Sequence, residues 1–397
     1  MKSKVGEQEI DEILSRGVEE VIDIRDLKEK LLSGKTLRIK LGIDPTSPNL
    51  HLGRSVPLLK LRDFQKLAHK IVFIVGDFTG VIGDTSDKDA ERPMLDSKTI
   101  KENLKTYKKQ VGKIIDISKA DFKLNSSWLK KLNYVDIAEQ ANIFSINQFI
   151  SRDNIRRRLD EGKRVSVREM IYPLMQGYDS VAVKSDVEIG GTDQKFNLLS
   201  GRDMQKHFGQ EPQNIIMNPI IEGLDGRKMS SSWGNTVNFL DSANEMFGKI
   251  MSLQDVFVIK YFEILTRVPM EQVYKYRDQL ENGENPKNIK IILAKEIVKM
   301  YHSEKDAESA HISWEETFSK GGIPTDIEEV NISNGTKLKT ILVENKIVES
   351  NSEFTRLLKA GAIKNAETDE KIMEDMEIKE NLILKVGKRR FVKIIVK

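Results

Sequence analysis

An α/β fold built on a doubly wound parallel sheet with a helical insertion, followed by an α-helical domain and a small α+β tail, is the fold class this sequence predicts. Three observations carry it. Apolar runs of strand length alternate with stretches of helical periodicity over the first 222 residues, the pattern of parallel strands joined by crossover helices. Residues Asp241 to Lys320 keep a helical period throughout, and the last sixty or so residues mix short helical patterns with strand-like runs.

The elements follow in order. Residues 7 to 33 have the pattern of one surface helix ending at Ser33-Gly34. Leu37, Ile39, Leu41 and Ile43 alternate with Arg38, Lys40 and Gly42, and Pro45 stops the run, so this is the first strand. After the turn Asp44-Pro45-Thr46-Ser47-Pro48, the segment His51 to His69 places Leu52, Val56, Leu59 and Leu67 at helical spacing. Ile71-Val72-Phe73-Ile74-Val75 is then a continuous apolar run, as in a strand buried on both faces. Strand, helix, strand is a right-handed crossover whose helix N-terminus forms a phosphate site, and His51 and Arg54 sit there.

The pattern repeats. A helix from about Ser97 to Ile115 leads to a strand from Asp121 to Leu124, one from Val167 to Asp179 leads to Val181 through Ile189, and one from Asp193 to His207 leads to Asn214 through Ile221. Residues 125 to 165 are more helical and arginine-rich, and read as an insertion between two halves of the sheet. A Rossmann-like domain over 1–222 is therefore expected, then a glycine-flanked loop and helical domain over 223–325 in which Pro286 opens a long helix to His302. Gly321-Gly322-Ile323-Pro324 and residues 326–334 read as a linker, ahead of a tail domain over 333–397 with strands near Leu382 to Val386 and Phe391 to Val396.

Composition excludes several function classes. With no cysteine and five histidines that never pair at metal-ligand spacing, thiol and zinc chemistry are out, and no protein metal site is expected. Hydrophobic residues at 39% with charged residues at 31% describe a folded chain and not a disordered one. Met1 to Ile10 are polar, and no apolar run approaches a membrane span, so a cytoplasmic protein without membrane contact is expected. Residues 331–397 hold 14 Lys and Arg against 10 Asp and Glu, whereas residues 1–330 hold 50 against 51. The basic excess lies in the tail, as in an RNA-binding appendage or a merely solvated surface.

The sheet predicts a nucleotide site, yet the usual fingerprints are missing. Gly34-Lys35-Thr36 has Glu29 where a P-loop needs its first glycine, and no G-x-G-x-x-G lies between a strand and a helix. Three other stretches fall at the carboxyl ends of predicted strands, where open α/β sheets bind ligands. They are His51-Leu52-Gly53-Arg54, Gly190-Gly191-Thr192-Asp193-Gln194, and Lys228-Met229-Ser230-Ser231-Ser232 within the loop 223–232. Taken alone, that loop reads equally as a solvated turn or an anion clamp. Tyr172, Gln176 and Asp179 lie at i, i+4 and i+7, three polar side chains on one helical stripe that is either solvent-facing or a ligand wall.

Together these stretches resemble the HIGH, GxDQ and KMSKS signatures of the class I aminoacyl-tRNA synthetases. Gly42-Ile43-Asp44-Pro45-Thr46, Thr79-Gly80-Val81-Ile82-Gly83-Asp84 and Tyr172 through Asp179 are similar to the bacterial tyrosyl branch of that family. The likeness runs over roughly residues 35 to 240, continues loosely through the helical part, and resumes in a tail similar to the S4 RNA-binding fold. It implies ATP-dependent activation of L-tyrosine and transfer to the 3′ end of tRNA(Tyr), with Mg²⁺ as counter-ion and a homodimer joined near the insertion.

The resemblance also implies roles. Thr46, His51, Arg54 and Lys228 are the catalytic set; Gly191, Asp193, Met229, Ser230 and Ser231 join them around ATP. Asp84, Tyr172 and Gln176 hold the substrate ammonium, Asp179 accepts the phenolic hydroxyl, and Gly42, Asp44 and Gln194 complete the tyrosine site. In the tail, Lys337, Lys339, Arg356 and Lys359 face RNA. The chemistry asks for no protein nucleophile, so such a site works by positioning and by stabilising charge on phosphate oxygens.

Four positions depart from the family. Arg54 stands for the second HIGH histidine, Ser231 for the second lysine of KMSKS, and Lys40 for a tyrosine that in many members shares the phenol contact; Thr85 follows Asp84 where proline is frequent. Arg54 is expected to take over part of the phosphate neutralisation. The alternatives are a tryptophanyl relative, against which Asp179 argues, an idle RNA-binding paralogue, and a tRNA-independent adenylating enzyme.

Overall fold

The computed structural model describes residues 6–86, 94–319, 327–387 and 390–396. The chain divides into two compact units, one of Met1–Ser242 with Lys249–Tyr301 and one of Ala243–Gly248 with His302–Lys397.

The first unit is built on a six-stranded sheet. Its strands are β1 (Glu20–Ile22), β2 (Arg38–Ile43), β3 (Lys70–Val75), β4 (Ala120–Leu124), β5 (Val187–Gly191) and β6 (Asn214–Asn218), in the order β1-β6-β5-β2-β3-β4. β2 through β6 run parallel, with Arg38 opposite Lys70 and Lys40 opposite Glu188. Strand order reverses between β2 and β5, and ligands bind at the carboxyl ends flanking such a switch point. β3 is apolar on both faces because helices cover both, and Ile71 to Val75 are all buried.

Several boundaries differ from the sequence reading, each for a local backbone reason. Residues 7–33 are not one helix: Glu7–Ser15 and Ile24–Leu32 flank β1, which pairs antiparallel with β6. Gly17 and Asp23 take positive φ at the two breaks, and Val21-Ile22 between them prefers extended backbone. The helix from Val167 runs on to Val183 and ends at Lys184 in the left-handed region, so β5 begins only at Val187. β6 stops at Asn218, before Pro219, which has no N–H for a ladder. The alternation in β2 implied one polar face, but Lys40 is fully buried because the helix Val167–Val183 covers that side.

Residues 125–165 form four short helices, Ser126–Leu129, Tyr134–Ala141, Ile146–Ile150 and Asp153–Asp160. Further helices of this unit are Val258–Leu265, Met270–Glu281 and Pro286–Tyr301, the last opened by a proline that leaves no helical donor unused.

The second unit contains the helix Glu304–Trp314 and an α+β tail. In the tail, β7 (Glu328–Ile332), β9 (Ile363–Asn365), β11 (Leu382–Val386) and β12 (Arg390–Val396) form a sheet in the order β7-β12-β11-β9, while β8 (Thr336–Lys337) pairs with β10 (Glu377–Ile378). The helices Leu338–Glu344 and Asn351–Lys359 close the core through Leu338, Ile341, Leu342, Phe354 and Leu357. Part of the expected linker is therefore strand: Val330 and Ile332 point inward from β7. Gly321 to Pro324 lies outside the described residues.

Candidate active site

A cavity of about 540 Å³ opens at the carboxyl ends of β2 and β5, and is lined among others by Thr46, His51, Arg54, Asp84, Gln176, Asp179, Asp193 and Lys228. The three signature stretches thus meet at one place.

At one end lies the start of the helix Leu52–Lys66. His51 is its N-cap in extended conformation, and its Nδ1 accepts the Gly53 amide at 3.2 Å. With Nδ1 as acceptor, the ring carries its proton on Nε2. Burial first, then the nearby Arg54 and Lys228 charges, push the imidazole down to about 3, so it is a neutral donor. The Gly53 amide also lies 3.2 Å from Met229 Sδ. The sequence reading made this helix start an anion site; here the amides of Leu52, Gly53 and Arg54 already donate, to Val237 O, His51 Nδ1 and His51 O, which leaves the ring's Nε2 to meet an anion. Arg54 projects exposed from the first turn, and half-buried Thr46 donates its amide to the Asp44 carbonyl at 2.9 Å.

The loop with Lys228 is a tied hairpin. Met229 N bonds Ile221 O at 2.9 Å, and Asn235, buried, accepts from Ser230 N at 2.8 Å while donating to Asp225 Oδ1 at 2.7 Å and Lys228 O at 3.0 Å. Gly226 has φ +84°, as a turn requires, whereas Gly223 is held by space, since a Cβ there would lie 2.5 Å from Asn235. The two glycines that flank the loop thus have different jobs. Ser230 Oγ lies 2.9 Å from Ser232 Oγ, and Ser231 is exposed. Lys228 Nζ lies 2.9 Å from Asp193 Oδ2, and a Cβ on Gly191 would come within 2.4 Å of Asp193 Oδ1.

The other end is the stripe of the helix Val167–Val183, which faces inward. Tyr172 donates to Asp44 Oδ2 at 2.8 Å and Thr79 Oγ1 to Asp44 Oδ1 at 2.7 Å; burial nevertheless raises the Asp44 carboxyl to about 6. Asp84 accepts Gln194 Nε2 at 2.7 Å and the Ser86 amide at 3.0 Å. Asp179 accepts Trp128 Nε1 at 2.7 Å and Asn125 Nδ2 at 3.2 Å, and burial raises it to about 7. Gly42 faces open space. Lys40 is no part of the cavity wall; its Nζ lies 2.8 Å from Glu188 Oε1, behind it.

Sequence reasoning missed Asn125, Trp128, Glu188 and Asn235. Glu188 had a signal, a carboxylate inside an apolar strand beside another strand that carries Lys40. The others had none: Asn125 and Trp128 meet Asp179 only through the fold, and Asn235 ties its own loop by side-chain geometry that no residue pattern announces. In the second unit, Lys337, Arg356 and Lys359 are exposed and Lys339 half-buried. Among the described residues no group of three or more His, Cys, Asp or Glu could hold a metal, and no helix is long and apolar enough to cross a membrane.

Residues 32–319 match the family described as class I tRNA synthetases (W and Y). The chain is 44% identical over 393 residues to a tyrosine–tRNA ligase of Shewanella oneidensis, covering 97% of this chain and 99% of that one. It is 43% identical over 389 residues to a tyrosine–tRNA ligase of Aromatoleum aromaticum, with 97% and 98% covered. Among solved structures, tyrosyl-tRNA synthetase complexed with L-tyrosine from Archaeoglobus fulgidus aligns with a TM-score of 0.61 at 25% identity, over 77% of this chain and 99% of that one. A mitochondrial tyrosyl-tRNA synthetase of Coccidioides posadasii shares the fold at a TM-score of 0.62 and 23% identity, with 77% and 91% covered.

Proposed function

This chain belongs to the class I tRNA synthetases of the tryptophan and tyrosine type, and from that premise we propose that the cavity joins L-tyrosine to ATP and passes the tyrosyl group to tRNA(Tyr). Full-length relatives at 42 to 44% identity are tyrosine–tRNA ligases, so neither the tryptophanyl alternative nor an idle paralogue is favoured. The observation that carries the substrate reading is Asp179, a buried carboxylate on the cavity wall held by Trp128 and Asn125. A phenol satisfies its remaining acceptor capacity; phenylalanine leaves it unpaired, a rule for which the tyrosyl enzymes are themselves the standard illustration.

In this reading the tyrosine carboxylate attacks the α-phosphate, the bond to the pyrophosphate oxygen breaks, and a tRNA ribose hydroxyl later takes the acyl group. His51 Nε2–H and the Thr46 hydroxyl donate to the phosphate oxygens as charge grows, and Arg54 and Lys228 neutralise the phosphates and the departing pyrophosphate. Lys228 reaches them by leaving Asp193, which then serves the ribose. Asp84, Tyr172 and Gln176 take the substrate ammonium, with Asp44 and Gln194 holding Tyr172 and Asp84 in turn; Met229, Ser230 and Ser231 close over ATP. Mg²⁺ arrives as part of the ATP complex, as the counter-ion of its phosphates.

Residues 1–222 act as the catalytic domain, 223–325 carry the loop and the helices on the anticodon side, and 333–397 act as an S4-like RNA-binding domain through Lys337, Lys339, Arg356 and Lys359. A homodimer joined at the insertion is supported by apolar side chains left exposed there, Tyr134 at 92%, Val135 at 65% and Ile146 at 69%. Its location is the cytoplasm, where tRNA and ATP meet.

The deciding experiment is ATP–pyrophosphate exchange with each of the twenty amino acids, then tRNA charging with the active one. Exchange with tyrosine is expected; exchange with tryptophan alone, or with none, overturns the reading.

A further inference from the structure

Lys40 and Glu188 are Cα partners on neighbouring parallel strands, and their side chains, 0% and 2% exposed, meet at 2.8 Å. Their strand neighbours Ile39, Leu41, Val187 and Ile189 are apolar and buried. A buried ion pair gains little stability over apolar residues of the same volume, because desolvation of both charges offsets their attraction. Its use lies elsewhere, in what it holds.

Lys40 Nζ donates to Ser180 Oγ at 2.7 Å and to the Gln176 carbonyl at 3.2 Å. Glu188 accepts from Ser180 Oγ at 3.0 Å, from Gln176 Nε2 at 3.4 Å and from Gln213 Nε2. Gln176 and Ser180 are one helical turn apart and bracket Asp179, so the pair grips the turn that carries both ends of the amino-acid site. Glu188 and Gln176 also line the cavity. The Lys40 charge is the strongest influence holding down the Asp179 carboxyl, which burial raises.

We propose that the buried Lys40–Glu188 pair is a positioning device for amino-acid selectivity, locking Gln176 and the Asp179 turn against the sheet so that the pocket distinguishes a phenol from a phenyl ring. This rests on the tyrosine reading above. Lys40 is no part of the cavity wall, so it supports selectivity from beneath the wall and not from its surface.

The test is the double variant Lys40→Met/Glu188→Leu, which removes both charges of the pair together and leaves neither partner as a lone buried ion. Circular dichroism and thermal melting check folding, and pyrophosphate exchange gives kcat and KM for tyrosine, ATP and phenylalanine. The KM for tyrosine is expected to rise about tenfold or more, with the KM for ATP within about twofold, and the tyrosine-to-phenylalanine ratio of kcat/KM to fall about tenfold. Its tyrosine KM should also begin to climb at a higher pH than in the unaltered protein, because Asp179 has lost the Lys40 cation. Lys40→Arg, which keeps the cation, should restore the ratio. A folded double variant with tyrosine KM and ratio within about twofold of the unaltered protein overturns the inference alone. If that variant fails to fold, Lys40→Gln/Glu188→Gln, which keeps the hydrogen-bonding groups without the charges, is read on the same scale. Absence of tyrosine-dependent exchange in the unaltered protein overturns the tyrosine reading and this inference together.

Discussion

Lys228 Nζ sits 2.9 Å from Asp193 Oδ2, so the cation of the loop pairs with the carboxylate proposed for the ribose. Their side chains are 29% and 22% exposed, and water screens the pair enough that it adds little stability. On the proposed reading, ATP exchanges this pair for ribose on Asp193 and phosphate on Lys228. Lys228→Ala is expected to lower kcat for exchange by about 10²–10³, with the tyrosine KM changed less than about threefold. Steady-state exchange kinetics check this; an equal rise in tyrosine KM instead would place Lys228 outside the phosphate site.

His51 combines two duties that one substitution separates. As N-cap it satisfies the Gly53 amide, and as neutral donor it offers Nε2–H. His51→Ala should lower stability by about 1 kcal/mol and abolish most exchange, whereas His51→Asn should recover the cap but not the rate. Its folded pKa near 3 lies below the ordinary 6.5. That contribution to stability is present above pH 6.5 and is lost as pH falls toward 3, because only the unfolded chain takes up the proton. An imidazole NMR titration should find no His51 inflection between about pH 5 and 8.

Asp179 has the opposite sign. Its carboxyl is raised from 3.8 to about 7, so its contribution to stability is full below 3.8 and is lost as pH rises through about 7. Asp179→Asn, which cannot ionise, should melt higher than the unaltered ligand-free protein at pH 8, by roughly 2–4 °C, and about equally at pH 4. Tyrosine KM in the unaltered protein should rise as pH falls below about 7, as the acceptor protonates. Differential scanning calorimetry and exchange kinetics across pH provide both readings.

The proposed reading makes Arg54 compensate for the cation that Ser231 does not supply. Arg54 is exposed in the first helical turn beside the cavity, and Ser231 is exposed on the loop. Arg54→Ala should slow exchange about tenfold or more by removing one phosphate cation, and Ser231→Lys in that background should restore part of the rate. An unchanged rate in Arg54→Ala would sink the compensation.

In the tail, Lys337→Glu or Lys359→Glu should weaken tRNA binding and reduce the slope of log K against log salt by about 1 each, leaving tyrosine-dependent exchange intact. Removal of residues 333–397 should flatten the slope further. Filter binding over a range of salt measures it.

From β2 to β6 the alternation of strand and helix was legible along the chain, as were the strand ends that carry His51, Asp193 and Lys228, whereas β1 and β7 were not. Periodicity, proline and glycine act along the chain, so the continuous apolar run of β3, the helix behind His51 and the helical stripe of Tyr172, Gln176 and Asp179 were legible from nearest neighbours. Boundaries failed where a single residue set the backbone, at Gly17, Asp23 and Lys184. Only the tertiary structure decided that the stripe faces inward, that Lys40 is buried on Glu188, that Trp128 and Asn125 orient Asp179, and that Asn235 ties the loop. Apart from the short-range Asn235 tie, those partners lie on elements about fifty or more residues apart, and what joins them is burial: a charge or amide removed from water must find a partner in space, wherever the chain brings one.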